Sequence, residues 1–392
     1  MAISLKSEYL LDPDIIFLNH GSYGACPRSV FETYQNWQRE LERNPVAFIG
    51  QRLPALMEDA RCKLAAYLGV ACQDVVYFTN PTTAFNMVLR SLELNPGDEV
   101  LTTDFEYPAM NQAWGYIAHK TGARYIHQST PLPMFAQSDF TEAFWAGVTE
   151  KTRIIFLSHI APFIAMILPI EEICKRARAA GILTIIDGAH APSQLPLDLR
   201  KIDADIYIGA CHKWLSAPKG TGFLYARPAV QTRLEPLVIS MGWAREKPLR
   251  DAYAPDGRSW LVYFNEGQGT RDPSAFLTVP AAIEYQETRN WQAQRQRCHA
   301  LAVETRRHIN AFTGLPSLCP DSTEFFGQMV SVLLPETDLS MLSKRLFEEF
   351  KIVVPILTIN EFRCIRLSFQ AYNEQADADA VIQALEKILL RS

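Results

Sequence analysis

Short apolar runs rich in β-branched and aromatic residues alternate with amphipathic stretches through the middle of the chain. From about residue 75 onward, the runs that predict strands are DVVYFT, EVLTTD, RYIHQ, RIIFLSH, ILTIID, ADIYIG and GFLYA. The intervening stretches include TTAFNMVLRSLEL, AMNQAWGYIAHKT and PIEEICKRARAAG, which have the spacing of helices. Strands that alternate with helices predict an α/β fold on a large, mostly parallel sheet.

The pattern changes from about residue 275. A long helix-like stretch over 274–312 precedes the strand-like MVSVLLP and IRLSF, with helix-like LSMLSKRLFEEF between them and ADADAVIQALEKILL after them. We therefore predict a large sheet domain over residues 51–270 and a smaller α+β C-terminal domain over 271–392. Residues 1–50 are expected to form an N-terminal arm that contributes to the small domain and to a ligand pocket.

One stretch, Ile154–Ile170, resembles a membrane span. It has 17 residues, including Ser158, His159 and two prolines. This is shorter than the roughly 20 apolar residues that a membrane-spanning helix needs. The stretch therefore predicts a buried strand that runs into a loop, and we expect no membrane partner.

The composition is that of a globular enzyme-sized chain. Of its 392 residues, 48% are hydrophobic and 21% charged, and the net charge is −5 with no run of Lys and Arg. Nucleic-acid binding is therefore disfavoured, because it needs a clustered basic surface. The 8 cysteines contain no CxxC pair, which predicts free thiols in a reducing cytoplasm, and no histidine pair suggests a metal site.

The residues that follow the predicted strands carry candidate chemistry. After DVVYFT, Asn80 is a good helix N-cap and Pro81 suits the first helical position. Thr82 and Thr83 then present N–H groups and hydroxyls at the positive end of a helix, which suits a phosphate. Taken alone, an ordinary capped helix explains these residues as well or better.

Two further strand ends place a carboxylate and a lysine. Asp187 ends a strand so apolar that its charge needs a partner, such as a protonated heterocyclic nitrogen, although it also suits a capped turn. His190 lies three residues on and could reach the same ligand. Lys213 follows the strand ADIYIG directly, where partial burial would lower its pKa and permit a Schiff base. A surface lysine is the alternative, and Lys219 in the next turn is the competing candidate.

The combination is more specific than its parts. A phosphate-ready helix start, a strand-end carboxylate and a lysine 26 residues after it are what pyridoxal 5'-phosphate requires. With these residues in place, the chain resembles the class V aminotransferase group of pyridoxal-phosphate enzymes of fold type I. Within that group it resembles the isopenicillin-N-epimerase-like proteins, which are related to cysteine desulfurases and C–S lyases. The resemblance spans most of the chain and rests on FLNHGSYGACPRSV, NPVAFIGQRLPALMEDAR, NPTTAFNMVLRSL, PGDEVLTTDFEYPA, IIDGAHAPSQLPLDL, CHKWLSAPKGTGFLY, GTRDPSAFLTVPAA and IRLSFQAYN.

The resemblance implies roles around the cofactor ring. Lys213 would form the Schiff base with the cofactor and shuttle the Cα proton of the substrate. Asp187 would pair with the pyridine nitrogen, and His190 would lie near the phenolic oxygen. Tyr107, in DFEYPA, occupies the place of the residue that stacks on the ring.

The resemblance also implies which residues hold the phosphate. Thr82, Thr83 and His212 would bind it within one subunit. Thr270, in GTRD, would reach the phosphate of the neighbouring subunit, so a homodimer is implied.

The substrate side carries both matches and departures. Arg366 would clamp the substrate carboxylate, which suits a bidentate guanidinium. Asn19 and His20 match the arm that lines the substrate pocket. Phe163 stands where several relatives have asparagine, and Ala210 stands where relatives have a polar phosphate ligand.

The reaction is left open between several outcomes. After the substrate amine displaces Lys213, a bond at Cα breaks and the carbanion is delocalised into the cofactor ring. β-Elimination on a cysteine-derived substrate is favoured slightly, with epimerisation as the alternative, for which Tyr107 could act as the second acid or base. Transamination is a further alternative. A cysteine desulfurase is disfavoured because the expected positions before Arg366 hold no cysteine; Cys364 and Cys319 lie elsewhere.

Other protein classes fit less well. A nicotinamide dehydrogenase needs GxGxxG and a P-loop nucleotidase needs GxxxxGK[ST], and the sequence contains neither motif. A binding protein that lost its activity is the remaining alternative. Against it, Lys213, Asp187 and Arg366 are all present, and these are the residues that such a protein could most freely lose.

Overall fold

The computed structural model describes residues 3–240, 254 and 257–390. The strands of this part are β1 Ile16–Phe17, β2 Val75–Phe78, β3 Glu99–Thr103, β4 Arg124–Gln128, β5 Thr152–Ser158, β6 Leu183–Gly188, β7 Ile206–Ala210, β8 Gly222–Ala226, β9 Met329–Leu333, β10 Ile352–Val353, β11 Ile356–Ile359 and β12 Phe362–Ser368. The helices are α1 His20–Tyr23, α2 Arg28–Arg43, α3 Pro45–Ala47, α4 Leu53–Leu68, α5 Pro81–Ser91, α6 Pro108–Thr121, α7 Gln137–Trp145, α8 Ile170–Ala179, α9 Leu199–Ile202, α10 Pro228–Gln231, α11 Trp260–Glu266, α12 Ser274–Leu277, α13 Val279–Glu287, α14 Trp291–Thr313, α15 Leu339–Phe350 and α16 Gln375–Leu389.

A seven-stranded sheet forms the centre of the larger part, in the order β2-β8-β7-β6-β5-β3-β4. Strands β7, β6, β5, β3 and β4 are parallel, while β8 runs antiparallel to both β2 and β7. Helices cover both faces, so the residues of β2, β3, β7 and β8 are buried throughout. The predicted α/β fold on a mostly parallel sheet is confirmed, and its strands are the seven predicted from the sequence.

The C-terminal residues form a second, smaller sheet with the antiparallel order β11-β12-β9. The N-terminal arm joins this region, because β1 pairs in parallel with β10 through Ile16 with Ile352 and Phe17 with Val353. Just after β1, the Ser368 amide donates to the Leu18 carbonyl at 3.0 Å. The arm is therefore fixed against the end of β12, which carries Arg366.

The long helix-like stretch over 274–312 is divided into three helices. Helix α12 ends at Leu277, and Pro280 lies in the first turn of α13. The chain turns again at Asn290, whose φ of 47° is left-handed and whose side chain accepts from the Ala293 amide to begin α14. The apolar pattern spans both breaks because all three helices bury one face against the same core.

The membrane-like run has the structure predicted for it. Residues up to Ser158 form the central strand β5, and the following residues form a buried loop that leads to α8 at Ile170. The loop is closed by hydrogen bonds from the Ala161 amide to the Met166 carbonyl and from the Leu168 amide to the His159 carbonyl. Across residues 3–240, 254 and 257–390, no helix combines the length and apolar character that crossing a membrane requires.

One expectation about the cysteines is wrong. Cys62 in α4 and Cys72 before β2 form a disulfide, with their Cα atoms 4.6 Å apart. This separation lies within the usual range for such a bond. The other six cysteines are free thiols, as expected. The absence of a CxxC motif did not reveal the pair because its members are ten residues apart and are brought together by the turn after α4.

Candidate active site

A cavity of about 180 Å³ opens at the carboxyl ends of β5 and β6, beside the start of α5 and the connection after β7. Ligands of open parallel sheets bind at this edge. We call this cavity the Lys213 pocket; it is lined by Ser22, Tyr23, Asn80, Pro81, Thr82, Tyr107, Met110, Ser158, Ile160, Pro162, Asp187, Ala189, His190, His212 and Lys213.

The start of α5 forms one end of the pocket. Asn80 caps the helix, and its side-chain oxygen accepts from the Thr83 amide at 2.8 Å and from the Thr83 hydroxyl at 3.1 Å. Thr83 is therefore turned toward the cap, while Thr82 lines the pocket. The amide of Thr82 has no partner within the helix, so it is available to an anion. Gly222 in β8 permits this packing, since a Cβ there would lie 3.1 Å from the Asn80 backbone.

Asp187 lies at the end of β6 and is 5% exposed. One of its oxygens accepts from the Ala189 amide at 2.9 Å. Burial raises the pKa of Asp187, and the Ala189 amide and the Lys213 charge partly oppose this shift. A cationic ring nitrogen in the pocket would supply the missing counter-charge.

Lys213 is held by the arm rather than by regular secondary structure. His20 donates from Nε2 to the Lys213 carbonyl at 2.9 Å. Gly24, at a left-handed φ of 70°, lies so close that a Cβ would be 2.0 Å from the His212 carbonyl oxygen, so only glycine fits. Burial lowers the pKa of the Lys213 amine to about 8, with a further lowering by Arg366 and an opposing effect of Asp187. A fraction of the Lys213 amine is therefore unprotonated near neutral pH.

The side chains of Tyr107 and His212 flank Lys213. The Lys213 Nζ lies 5.9 Å from the centroid of the Tyr107 ring, which is 44% exposed and lines the pocket. His212 donates from Nδ1 to the Thr221 carbonyl at 2.8 Å, and burial lowers its pKa. The other ring nitrogen of His212 can donate to a phosphate only when the ring is protonated, so an anion there would favour the charged imidazolium.

Arg366 does not itself line the Lys213 pocket, but it donates to two residues that do, Ser22 in the arm and Pro162. It is 6% exposed and donates to the Pro162 carbonyl at 2.5 Å and to the Ser22 hydroxyl at 3.2 Å. Ser22 in turn donates to the Asn19 side chain at 2.6 Å. The Nε of Arg366 is buried without a hydrogen-bond partner in the described residues. An anionic ligand near Pro162 would therefore find a desolvated guanidinium.

Asn19 and His20, which match the arm expected to line the substrate pocket, do not themselves line the Lys213 pocket. His20 is fully buried, with Nδ1 3.1 Å from the Tyr372 hydroxyl, and it supports the lysine from behind. Asn19 reaches the pocket only through Ser22. The wall itself is formed by Ser22 and Tyr23, two and three residues further along the same motif.

The two departures from the family pattern lie just outside the cavity. The Phe163 side chain packs against the hydrophobic core, and its carbonyl accepts a hydrogen bond from the Ser331 hydroxyl. Ala210, the last residue of β7, is fully buried. Neither residue lines the Lys213 pocket. Thr270 is exposed and also lies outside the cavity of its own chain.

Glu106 is a site residue that sequence reasoning missed. It is 1% exposed and accepts from the Ser158 hydroxyl at 2.5 Å and the Thr103 hydroxyl at 2.9 Å. Burial raises its pKa to about 7, with Asp187 adding to the shift. Because Ser158 lines the pocket, Glu106 determines how the Ser158 hydroxyl is oriented there. The sequence signal was its position directly before Tyr107 in DFEYPA.

Together these residues fit pyridoxal 5'-phosphate. The pocket combines a helix start with a free amide, a buried carboxylate of raised pKa and a buried amine of lowered pKa. The fold and the site define a pyridoxal-phosphate enzyme of fold type I. The class V aminotransferase family model matches residues 24–381, and the chain belongs to this family.

The proteins to which this chain is similar are named for different activities. The chain is 35% identical over 391 residues to "Isopenicillin N epimerase" of Streptomyces clavuligerus, covering 98% of this chain and 97% of that protein. It is 26% identical to "Probable L-cysteine desulfhydrase, chloroplastic" of Arabidopsis thaliana, covering 96% and 84%. Among solved structures, a cysteine desulfurase from Escherichia coli superposes with a TM-score of 0.81 at 22% identity, covering 98% of each chain. That last likeness is one of fold.

Proposed function

We propose that the protein catalyses a pyridoxal-phosphate-dependent β-elimination on a cysteine-derived amino acid, releasing a thiol or sulfide. The observation that carries this proposal is the pocket's single amine base. Among the described residues that line the cavity, Lys213 is the one lysine, and it lies between the buried Asp187 and the Tyr107 ring. Elimination needs one base at Cα and a leaving group on Cβ, and it needs no second base.

Each end of the pocket has a defined task. When bound, the cofactor supplies an electron sink for the carbanion formed at Cα. Asp187 keeps a proton on the ring nitrogen, because a buried carboxylate stabilises the cation beside it. Lys213 accepts the Cα proton at Nζ. Arg366 binds the substrate carboxylate and thereby directs Cα toward Lys213.

Persulfide chemistry is disfavoured because the two free cysteines that most closely precede Arg366 in the sequence are buried. Cys364 is fully buried in β12 and Cys319 is 4% exposed. Burial raises the pKa of the Cys364 thiol to about 12 and also raises that of Cys319. A nucleophilic cysteine needs an accessible thiolate, which neither residue provides.

Epimerisation is the second candidate. It is favoured by the 35% identity to an isopenicillin N epimerase over nearly the whole chain. It is also favoured by Tyr107, whose ring faces Lys213 across the pocket and whose hydroxyl could serve as the second acid or base. Elimination and epimerisation share the removal of the Cα proton, so they differ only in the fate of the carbanion.

We also propose a homodimer in which Thr270 reaches the phosphate of the neighbouring subunit. Its exposure in a single chain, away from its own pocket, supports this arrangement. A cytoplasmic location is part of the same proposal.

The test is to incubate the loaded enzyme in deuterated water with L-cysteine, L-cystine or S-alkyl cysteines. Elimination predicts pyruvate and a sulfur product in equal amounts. Inverted amino acid that carries deuterium at Cα, without pyruvate, would instead establish the epimerase. Conversion of the amino acid to its own keto acid would contradict both. The Lys213→Ala variant is the control and should yield none of these products.

A further inference from the structure

His190 lies between two nitrogen groups that make opposite demands on its ring. The indole Nε1 of Trp214 lies 3.2 Å from its Nδ1, and the Lys213 Nζ lies 3.2 Å from its Nε2. Trp214 is fully buried, so water cannot replace the indole as the partner of Nδ1, while Nε2 faces the Lys213 side of the pocket. The protonation of this ring is therefore fixed by its two neighbours.

The indole settles which nitrogen of the ring carries hydrogen. An indole N–H donates and cannot accept, so Nδ1 of His190 must present a lone pair. A neutral imidazole with a bare Nδ1 has its hydrogen on Nε2. Burial and the neighbouring charges of Lys213, Arg366 and His212 lower the pKa of His190, which keeps the ring neutral.

This tautomer has a consequence for Lys213. The Nε2–H group can donate to a neutral amine, whereas it faces an ammonium group unfavourably. The other groups that face the Lys213 amine are Asp187, which favours its charged form, and Arg366, which disfavours it. The Tyr107 ring and the nearby His212 complete its surroundings.

We propose that Trp214 is a positioning residue that fixes His190 as the Nε2–H tautomer, so that His190 presents a hydrogen-bond donor to the centre of the Lys213 pocket. In the free enzyme the donor is directed at the lysine amine. This proposal rests on the proposed function, since in the loaded enzyme the same donor would serve the anionic ring oxygen of the cofactor. Without the indole, the hydrogen could move to Nδ1, and Nε2 would become an acceptor.

Trp214 is well suited to hold this orientation. Its carbonyl accepts from the Gln286 side chain at 3.1 Å, and its ring packs in a small buried cluster with Ile160, Ala165 and Met329. The His20 ring also packs near the indole, with centroids 5.1 Å apart. The indole is therefore enclosed by packed side chains, which restrain the direction of its N–H group.

The test is a long-range proton–nitrogen NMR correlation of the cofactor-free enzyme labelled with ¹⁵N-histidine, recorded above pH 8. The His190 signals are identified by their loss in His190→Gln. We expect the pattern of the Nε2–H tautomer in the native protein. In Trp214→Phe we expect the tautomer ratio to move toward Nδ1–H by about fivefold to tenfold, the effect of losing one hydrogen bond. A native spectrum with hydrogen on Nδ1, or an unchanged ratio in Trp214→Phe, would overturn the proposal.

The matched control is Trp114→Phe, which makes the same change at a buried tryptophan that packs on Phe85 and Phe156 under α5. It should leave the His190 signals unchanged. If Trp214→Phe does not fold, the native protein provides the test through a scalar coupling across the hydrogen bond from the indole nitrogen of Trp214 to Nδ1 of His190. The absence of this coupling would count against the proposal. Because no cofactor or substrate is present, these spectra stand apart from the test for pyruvate. Loss of the elimination activity would leave the tautomer result intact.

Discussion

The two ends of the Lys213 pocket are built in different ways. The cofactor end takes Thr82, Asp187 and Lys213 from the ends of three strands of one sheet, β2, β6 and β7, each placed by the residues next to it in sequence. At the substrate end, Arg366 lies 344 residues from Ser22 and 204 residues from Pro162, to which it donates. The first end follows from local structure, while the second depends on the arm, the loop after β5 and the small sheet meeting correctly.

This difference assigns separate consequences to the two ends. Changes at the cofactor end should affect every substrate alike, because they alter the electron sink and the base. Changes at the substrate end should alter the binding of one amino acid relative to another. A cofactor-end variant that changed the preference between substrates, or a substrate-end variant that affected all substrates equally, would contradict this distinction.

The largest effect is expected for Asp187→Asn at the cofactor end. The neutral amide no longer stabilises a protonated ring nitrogen, so turnover should fall by roughly 10²–10³-fold for all substrates. Steady-state pyruvate release measures this loss. The control is Asp205→Asn, which lies just before β7, at the amino ends of the parallel strands. There the Asp205 carboxylate accepts from the Thr184 amide at 2.9 Å. That variant should lower the melting temperature without changing the cofactor's visible absorbance.

At the substrate end, Arg366→Gln should lower kcat/KM by about 100-fold, since a charged hydrogen-bonded pair with the carboxylate is lost. Most of the change should appear in KM. Comparing an amino acid with its amide sharpens the test, because the native enzyme should discriminate between them and the variant should not. Equal discrimination in both would remove Arg366 from the substrate site.

The pH dependence of cofactor capture tests the free amine at the centre of the pocket. Burial lowers the pKa of Lys213 to about 8, so the neutral amine accumulates as the pH rises to that value. The rate at which the cofactor-free enzyme takes up pyridoxal phosphate should rise about tenfold per pH unit and level off near pH 8. Asp187→Asn should move this profile to lower pH, because the Asp187 charge raises the pKa of Lys213. A profile that continues to rise toward the pKa of an ordinary lysine would contradict a buried amine.

The smallest effect is expected for Ser22→Ala. Its hydroxyl accepts from Arg366 at 3.2 Å, so its removal should raise KM by roughly fivefold, the value of one hydrogen bond, and leave kcat unchanged. Thr33→Ala is the matched control, since the Thr33 hydroxyl donates only to the Ser29 carbonyl on the exposed face of α2. A change in kcat rather than KM would place Ser22 with the cofactor end.

The sequence was informative where local signals coincide with chemistry. The apolar strand before Asp187 and the position of Lys213 after β7, taken together with the helix start at Thr82, singled out the candidates at the cofactor end, and the alternation of strands and helices predicted the sheet that carries them. Ser22 and Glu106 were not singled out, although both lie in the quoted motifs, because their roles depend on partners elsewhere in the chain, Arg366 and Ser158. The burial of His20 behind the lysine was not predicted for the same reason, since a motif does not reveal which face of a short helix is buried.

The most direct test of this account is the site of covalent attachment of the cofactor. Reduction of the loaded enzyme with borohydride, followed by mass mapping of its peptides, should place the pyridoxyl group on Lys213 alone. Lys219 is the competing lysine; its Nζ donates to the Gly24 carbonyl at 3.1 Å, outside the cavity. A label on Lys213 that disappears in Lys213→Ala and persists in Lys219→Ala is the predicted result. A label on Lys219, or no label on a protein saturated with cofactor, would contradict the account.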